Sequence, residues 1–351
     1  MATLLQGSYP WTSSPLIANG PMLRIALPPL AVAVSRGGGL GFMAAGFDLS
    51  DLDQNLELAE QLLHDTNVPT IPHTQDVLPI GVGFLNWGAD LEMALSAIKK
   101  HIPAAVWFFG PRQLSDLVPW STGIRTTTNN KTKVWIQVGN VSEALQVAKT
   151  CHPDVIVVQG TDAGGHGLER GAGIVSLLPE VKDALERENI KNIPLIAAGG
   201  IADGRGAAAA MVLGAAGIVM GTRFLASKEA EIAKGYQQEI LRAADGGTHT
   251  VRSKVYDTLR GFNDWPAAYG GRGVINQSYL DAERGHVDSN NMKMYAEALK
   301  QGDEGWGPDG RLTTYAGTAI GLVREVKHAG DIVQEVQKDA LKILKNIGTS
   351  V

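Results

Sequence analysis

The residues best suited to chemistry fall in one segment, Val155-Ile-Val-Val-Gln-Gly-Thr-Asp-Ala-Gly-Gly-His-Gly167, where an apolar run passes straight into a glycine-rich loop holding His166. An imidazole accepts or donates a proton at neutral pH, which suits removal of an acidic C–H proton or stabilisation of a developing anion. Gly164 and Gly165 carry no side chain, so their backbone amides can approach a planar ring or an anionic group that a Cβ would keep away. A loop histidine bonded to a carbonyl is the plainer reading of the same residue, and spacing alone leaves both open.

A second segment, Pro194-Leu-Ile-Ala-Ala-Gly-Gly-Ile-Ala-Asp-Gly204, is followed by Gly217-Ile-Val-Met-Gly-Thr-Arg-Phe224, so two apolar runs end in Gly-Gly and Gly-Thr. In a barrel of alternating strands and helices, the loops after strands seven and eight form a frequent phosphate site, because backbone N–H groups and a helix N-terminus converge there. Gly199, Gly200, Gly221 and Thr222 are therefore the candidate phosphate cradle. The alternative is that these glycines only turn the chain.

Other motifs lead nowhere. Gly305-Trp-Gly307-Pro-Asp-Gly310 matches a dinucleotide fingerprint in letters, but no strand precedes it and Pro308 would interrupt a helix, so it reads as a turn. Gly204-Arg-Gly206 with Ala209 is a looser match inside the proposed phosphate loop. Neither a Gly-x-Ser-x-Gly elbow nor a His-Glu-x-x-His metal site occurs. Cys151 is the only cysteine, which excludes an internal disulfide, gives no expectation of a metal site, and fits a reducing, cytoplasmic setting.

The elements that must position these residues follow from apolar periodicity. Eight runs end in Gly or turn residues: 16–22, 41–46, 79–85, 104–110, 134–139, 155–160, 194–200 and 217–224. Each is apolar on both alternating faces, as parallel strands covered by helices require. Between them, Leu91, Ala94, Leu95 and Ile98 follow Asp90 with helical spacing, and Asn140 with Glu143 resembles a capping box. The pattern predicts an α/β fold of the (β/α)₈ TIM-barrel class over residues 1–227. A smaller, mainly helical or irregular lobe is expected over 228–320, with a helix over 228–243. A C-terminal segment over 321–351 is expected to end in a helix over 331–347 that packs back on the barrel through Ile332, Val333, Val336, Ala340, Leu341 and Leu344. Trp107, Phe108 and Phe109 read as core.

Composition sets the outer bounds. With 351 residues, 44% hydrophobic and 19% charged, the chain has ample material for a core and no disorder signature. A net charge of −5 without a Lys/Arg cluster argues against nucleic acid as a partner. No stretch approaches the roughly 20 apolar residues of a membrane span, and residues 1–15 lack a secretory pattern.

Taken together, Gly20-Pro21-Met22, Gly38-Gly39-Leu40-Gly41, Gly83-Phe-Leu-Asn86, the Gln159–Gly167 segment, 197–206, 220–225 and Ala316-Gly-Thr-Ala-Ile-Gly321 resemble the nitronate monooxygenases, formerly 2-nitropropane dioxygenases, from about residue 16 to 324. The resemblance implies FMN held non-covalently by Gly20, Pro21, Met22, Asn86, Gln137, Gly165, Gly199, Gly200, Gly221 and Thr222. It places His166 at the catalytic histidine, orienting a nitronate or taking the α-proton of a nitroalkane. The implied reaction uses a small-molecule substrate and dioxygen and gives a carbonyl compound and nitrite. Three positions depart from the family's pattern: Gly20 where alanine is common, Asp162 for glutamate and Thr318 for glutamine. An FMN-dependent, NAD(P)H-using enoyl-thioester reductase shares the Ala-Gly-Gly-His pattern, and a specialised biosynthetic oxidoreductase or a non-catalytic phosphate-ligand binder would use the same barrel. Oligomeric state and physiological substrate are not legible.

Overall fold

Among the described residues the strands are β1 (Leu16–Asn19), β2 (Phe42–Gly46), β3 (Leu78–Leu85), β4 (Pro103–Phe109), β5 (Lys133–Val138), β6 (Val155–Gln159), β7 (Gly165–Leu168), β8 (Leu195–Ala198), β9 (Gly217–Met220), β10 (Thr250–Ser253) and β11 (Tyr269–Val274). They are seen in a computed structural model that describes residues 2–65, 71, 77–285 and 288–349. Eight of them form one parallel sheet in the order β1-β9-β8-β6-β5-β4-β3-β2. The two end strands meet through a parallel bridge between Ala18 and Leu40. Beyond that bridge the Asn19 side chain replaces the missing ladder: its amide nitrogen donates to the Phe42 carbonyl at 2.7 Å and its oxygen accepts the Phe42 N–H at 2.8 Å. Unpaired backbone groups inside a protein are costly, and this side chain satisfies both. The sheet is thus a nearly closed TIM barrel, and each of the eight expected runs overlaps one of its strands. The 194–200 and 217–224 runs are shorter as strands, because Gly199 and Gly200 take positive φ and Thr222–Leu225 turns into a short helix.

Alternation along the strands divides the core in two. Phe42, Trp107, Trp135, Val157, Ile196 and Val219 point into the barrel, while Met43, Val106, Phe108, Ile136, Val158 and Ile218 face the helices. Inside, the Phe42 ring lies 5.2 Å from Trp107 and 5.0 Å from Trp135, centroid to centroid. Tyr9 plugs one end, its hydroxyl accepting from the Trp135 indole at 2.7 Å. Trp107 and Phe108 are core as expected, whereas Phe109 is only half-buried, at the rim.

Local chemistry explains the helices. Asp90 caps Leu91–Lys100 by accepting from Met93 N–H, and Asn140 caps Val141–Thr150 by accepting from Glu143 N–H. Glu143 reaches past the cap residue to the N–H of Gly139, so the reciprocal bond of a capping box closes one residue earlier. The helix expected over 228–243 covers only Lys234–Arg242, because Lys228 N–H is taken by the Lys327 carbonyl and Glu231 N–H by that of Ile25. The C-terminal helix runs from Ala329 to Thr349 and buries Ile332, Val333, Val336 and Ala340, with Leu341 half exposed. Gln337 ties it to the barrel by donating to the carbonyls of Ser13, Pro15 and Gly38. No helix among the described residues is long and apolar enough to cross a membrane.

After β9 the chain builds further helices and the strands β10 and β11, which join the earlier β7 in a three-stranded antiparallel sheet, β10-β11-β7. β10 and β11 are the strands in the segment expected to be mainly helical or irregular, which otherwise folds as helices and turns. β11 reads Tyr-Gly-Gly-Arg-Gly-Val, too rich in glycine to show alternation, and Gly271 is glycine because a Cβ there would stand 2.6 Å from the Tyr315 ring.

The packed interior yields a stability test. A Cβ on Gly81 would lie 2.2 Å from the Phe42 ring, which Trp107 and Trp135 hold in place. Gly81→Ala is expected to destabilise the fold by about 1–3 kcal/mol, read as a lower Tm in thermal unfolding; an unchanged Tm would show that the ring has room to move.

Candidate active site

His166 lies on β7, paired opposite Gly271 of β11, so the histidine belongs at once to a barrel loop and to the outer sheet. The loop before it is fixed by arginines. Arg252 on β10 donates to the carbonyls of Thr161, Ala163, Gly165 and Gly270, and Arg272 on β11 also donates to Thr161. Burial, followed by the nearby Arg272 charge, lowers the Arg252 pKa to about 10. Gly164 packs so closely on the returning chain that a Cβ would stand 2.4 Å from the Gly317 nitrogen, and Gly165 adopts φ +66°. Gln159 completes the frame by donating to the His166 carbonyl at 3.1 Å.

The imidazole of His166 sits in a network. Its Nε2 lies 2.8 and 2.9 Å from the two carboxylate oxygens of Asp257, on the helix Val255–Arg260. Both side chains are largely buried, at 12% and 7% exposure. The Tyr315 hydroxyl donates to Asp257 Oδ1 at 2.8 Å. Burial, then the Asp257 charge, pushes the Tyr315 pKa well above its ordinary value, so this phenol remains a donor. Trp265 stacks on the imidazole with centroids 3.8 Å apart and planes 6° from parallel. Around that indole stand Trp87, Phe109 and Tyr269, at 5.6, 5.8 and 6.0 Å. A buried carboxylate on one ring nitrogen, with an aromatic wall beside it, is an arrangement suited to proton transfer at the other nitrogen.

The remaining candidate residues sit at the C-terminal ends of the barrel strands, where this architecture places its sites. Asn86 follows β3; its side-chain oxygen accepts from Phe109 N–H at 2.9 Å, while its amide nitrogen is buried without a partner among the described residues. Gln137 on β5 repeats the pattern, its oxygen accepting from the Trp107 indole at 3.1 Å and its amide nitrogen left unpaired. Each is 9% exposed. A buried donor without an acceptor costs about 1–3 kcal/mol, a cost a bound acceptor removes. Gly165 and Gly221 border open space, with nothing within 4 Å of where a Cβ would be, and Gly20 has no such contact closer than 3.8 Å. Gly199 and Gly200 take φ of +103° and +74°. Pro21 fills the space left by Gly83, and Met22 packs into the core beneath the rim. Thr222 Oγ1 accepts from Gly317 N–H at 2.9 Å. Beside Gly200 opens a cavity of about 490 Å³, bordered also by Asp162, Asp245, Gly246, Thr318 and Arg324.

Asp257, Trp265, Tyr315 and Arg252 escaped the sequence reading. They lie in the stretch without periodicity, and the only signal nearby was the Ala316–Gly321 motif, which begins one residue after Tyr315.

Comparison with known proteins identifies the family. The family model described as nitronate monooxygenase matches residues 119–339. A nitronate monooxygenase of Metarhizium robertsii, npaC, is 48% identical over 346 residues, covering 98% of this chain and 96% of its own. One from Neurospora crassa is 38% identical over 366 residues, covering 98% and 94%. Among solved structures, FabK from Thermotoga maritima superposes with a TM-score of 0.74 at 25% identity over 99% of this chain and 98% of its own.

The arginine frame can be tested without any ligand. Arg252→Met leaves several buried carbonyls without their donor and is expected to cost about 3 kcal/mol, measured by urea denaturation. A midpoint unchanged from the parent protein would mean that β7 and β11 hold the loop unaided.

Proposed function

The chain belongs to the nitronate monooxygenase family of oxidoreductases, and we propose that it oxidises alkyl nitronates, or nitroalkanes after loss of their α-proton, to a carbonyl compound and nitrite with dioxygen as electron acceptor. The observation that carries the reading is His166, whose Nε2 is occupied by a buried carboxylate beside a rim of unpaired amide donors.

The cofactor we assign is FMN. The residues fit it: Asn86 and Gln137 offer buried N–H donors for a ring rich in acceptors, and Gly20, Gly165 and Gly221 leave backbone open to a flat ring system or a phosphate, whereas Gly164, expected to do the same, is packed against Ala316 and Gly317 and serves the loop instead. Gly199, Gly200, Gly221 and Thr222 would hold the phosphate, with Pro21 and Met22 forming the wall below. When bound, FMN supplies the electron chemistry. The chain supplies the rest. His166 takes or holds the proton at Nδ1, since Asp257 engages Nε2, and the aromatic wall around Trp265 keeps water from the reacting carbon. Residues 228–320 act as the cover over substrate access, and 321–351 return the chain to the barrel.

Three measurements test this. The purified protein should show flavin absorption bands that bleach anaerobically with propyl-2-nitronate and barely with NADPH; the reverse would move it to the reductase class, and a colourless protein that refuses FMN would overturn the assignment. Gln137→Leu should weaken FMN binding at least about tenfold, the worth of one hydrogen bond from a buried donor, in a fluorescence titration. His166→Ala should slow turnover of a neutral nitroalkane about 100-fold or more, and should slow a preformed nitronate, which has no α-proton to give, much less. Equal activity of parent and variant on the nitroalkane would remove the base from His166.

A further inference from the structure

We infer that Asp257 and Tyr315 are positioning residues that hold the neutral His166 ring in the tautomer protonated on Nε2, leaving Nδ1 bare for the substrate. This deepens the proposal that His166 handles the substrate's proton and depends on it for its catalytic consequence, but not for the tautomer itself.

Both Asp257 oxygens lie within 2.9 Å of Nε2 and neither Nδ1 contact nor a second acceptor for Nε2 is found among the described residues. A carboxylate only accepts, so the ring nitrogen facing it must donate. Tyr315 secures the carboxylate in turn: its hydroxyl donates to Oδ1, and its raised pKa keeps that proton on the phenol. The order is therefore directional, Tyr315 O–H to Asp257, and His166 Nε2–H to Asp257. Of the other charged and titratable groups around the network, Arg260, on the same helix as Asp257, hydrogen-bonds Tyr315 and stands over its ring, 5.5 Å from the centroid, as a donor and never an acceptor. Tyr256 donates to the Val274 carbonyl. Arg252 and Arg272 are spent on loop carbonyls, and Lys254 pairs with Glu169 at 3.4 Å. None offers a rival acceptor to Nε2. Trp265 stacks face to face on the ring, so it can hold the imidazole plane but cannot choose between its nitrogens.

The test is long-range ¹H–¹⁵N NMR of the histidine side chains in the full-length protein, with His166→Gln used to assign the signal, at a pH where the ring is neutral. The expected spectrum has a pyrrole-type Nε2 and a pyridine-type Nδ1. Asp257→Asn, whose amide can present either a donor or an acceptor, should populate the other tautomer and lower kcat on a neutral nitroalkane about 10²-fold or more, as loss of an orienting carboxylate does elsewhere, with little change in KM. Tyr315→Phe, which keeps the ring, should cost about tenfold while the tautomer is retained. A parent ring protonated on Nδ1, or an Asp257→Asn spectrum identical to the parent, would overturn the inference. If the tautomer shifts as expected but neither Asp257→Asn nor His166→Ala affects the nitroalkane, the positioning stands and the base assignment fails.

Discussion

Four residues of backbone pairing between β7 and β11 set the geometry of the candidate site. Only five residues separate the end of the barrel strand β6 from the start of β7, yet the hydrogen bonds of β7 go to the outer sheet. Residues 254–268, between β10 and β11, therefore fold back across His166 and deliver Asp257 and Trp265 to it. Because side chains alternate along a strand, slipping this pairing by one residue would turn His166 away from the carboxylate. Arg252 and Arg272 come from the two strands of the same hairpin and reach back to the loop carbonyls, so the register is enforced from both sides of the seam.

The barrel contributes in a different way, through side chains that are core and site at once. Trp107 packs against Phe42 and Trp135 inside the barrel, and its indole N–H holds the oxygen of Gln137. Asn86 is held likewise by the peptide N–H of Phe109. With each oxygen already engaged, the orientation of both amides is settled by the network, and the NH₂ groups are left as buried donors. Such donors are prepared before any ligand arrives, which is what lowers the reorganisation a bound acceptor would otherwise require.

How much of this the residues announced depended on whether the signal was local. Strands buried on both faces write long apolar runs, so all eight barrel strands could be read, and the glycine loops ending them marked His166 and the Gly199–Gly200 and Gly221–Thr222 turns. Caps at Asp90 and Asn140 are short-range chemistry and were equally plain. The outer sheet was not, because glycine-rich β11 has no alternation and its partners lie up to 107 residues away in sequence, as in Arg272 opposite Gly165. Asp257 meets His166 across 91 positions, a contact no pattern of period 2 or 3.6 can encode. The shortened helix at 228–243 failed for the same reason, its first N–H groups being claimed by Lys327 and Ile25.

The returning chain from Tyr315 to Thr318 gathers these pieces. Tyr315 donates to Asp257, Gly317 donates its N–H to Thr222 and packs against Gly164, and Thr318 donates through both its N–H and its hydroxyl to Asp162, the latter at 3.1 Å. Asp162 and Thr318, two of the three positions at which the sequence departs from the pattern it resembles, are thus joined to each other by a side-chain hydrogen bond as well as a backbone one. Both border the cavity of about 490 Å³ beside Gly200, so the returning chain and the loop that precedes His166 form its rim together.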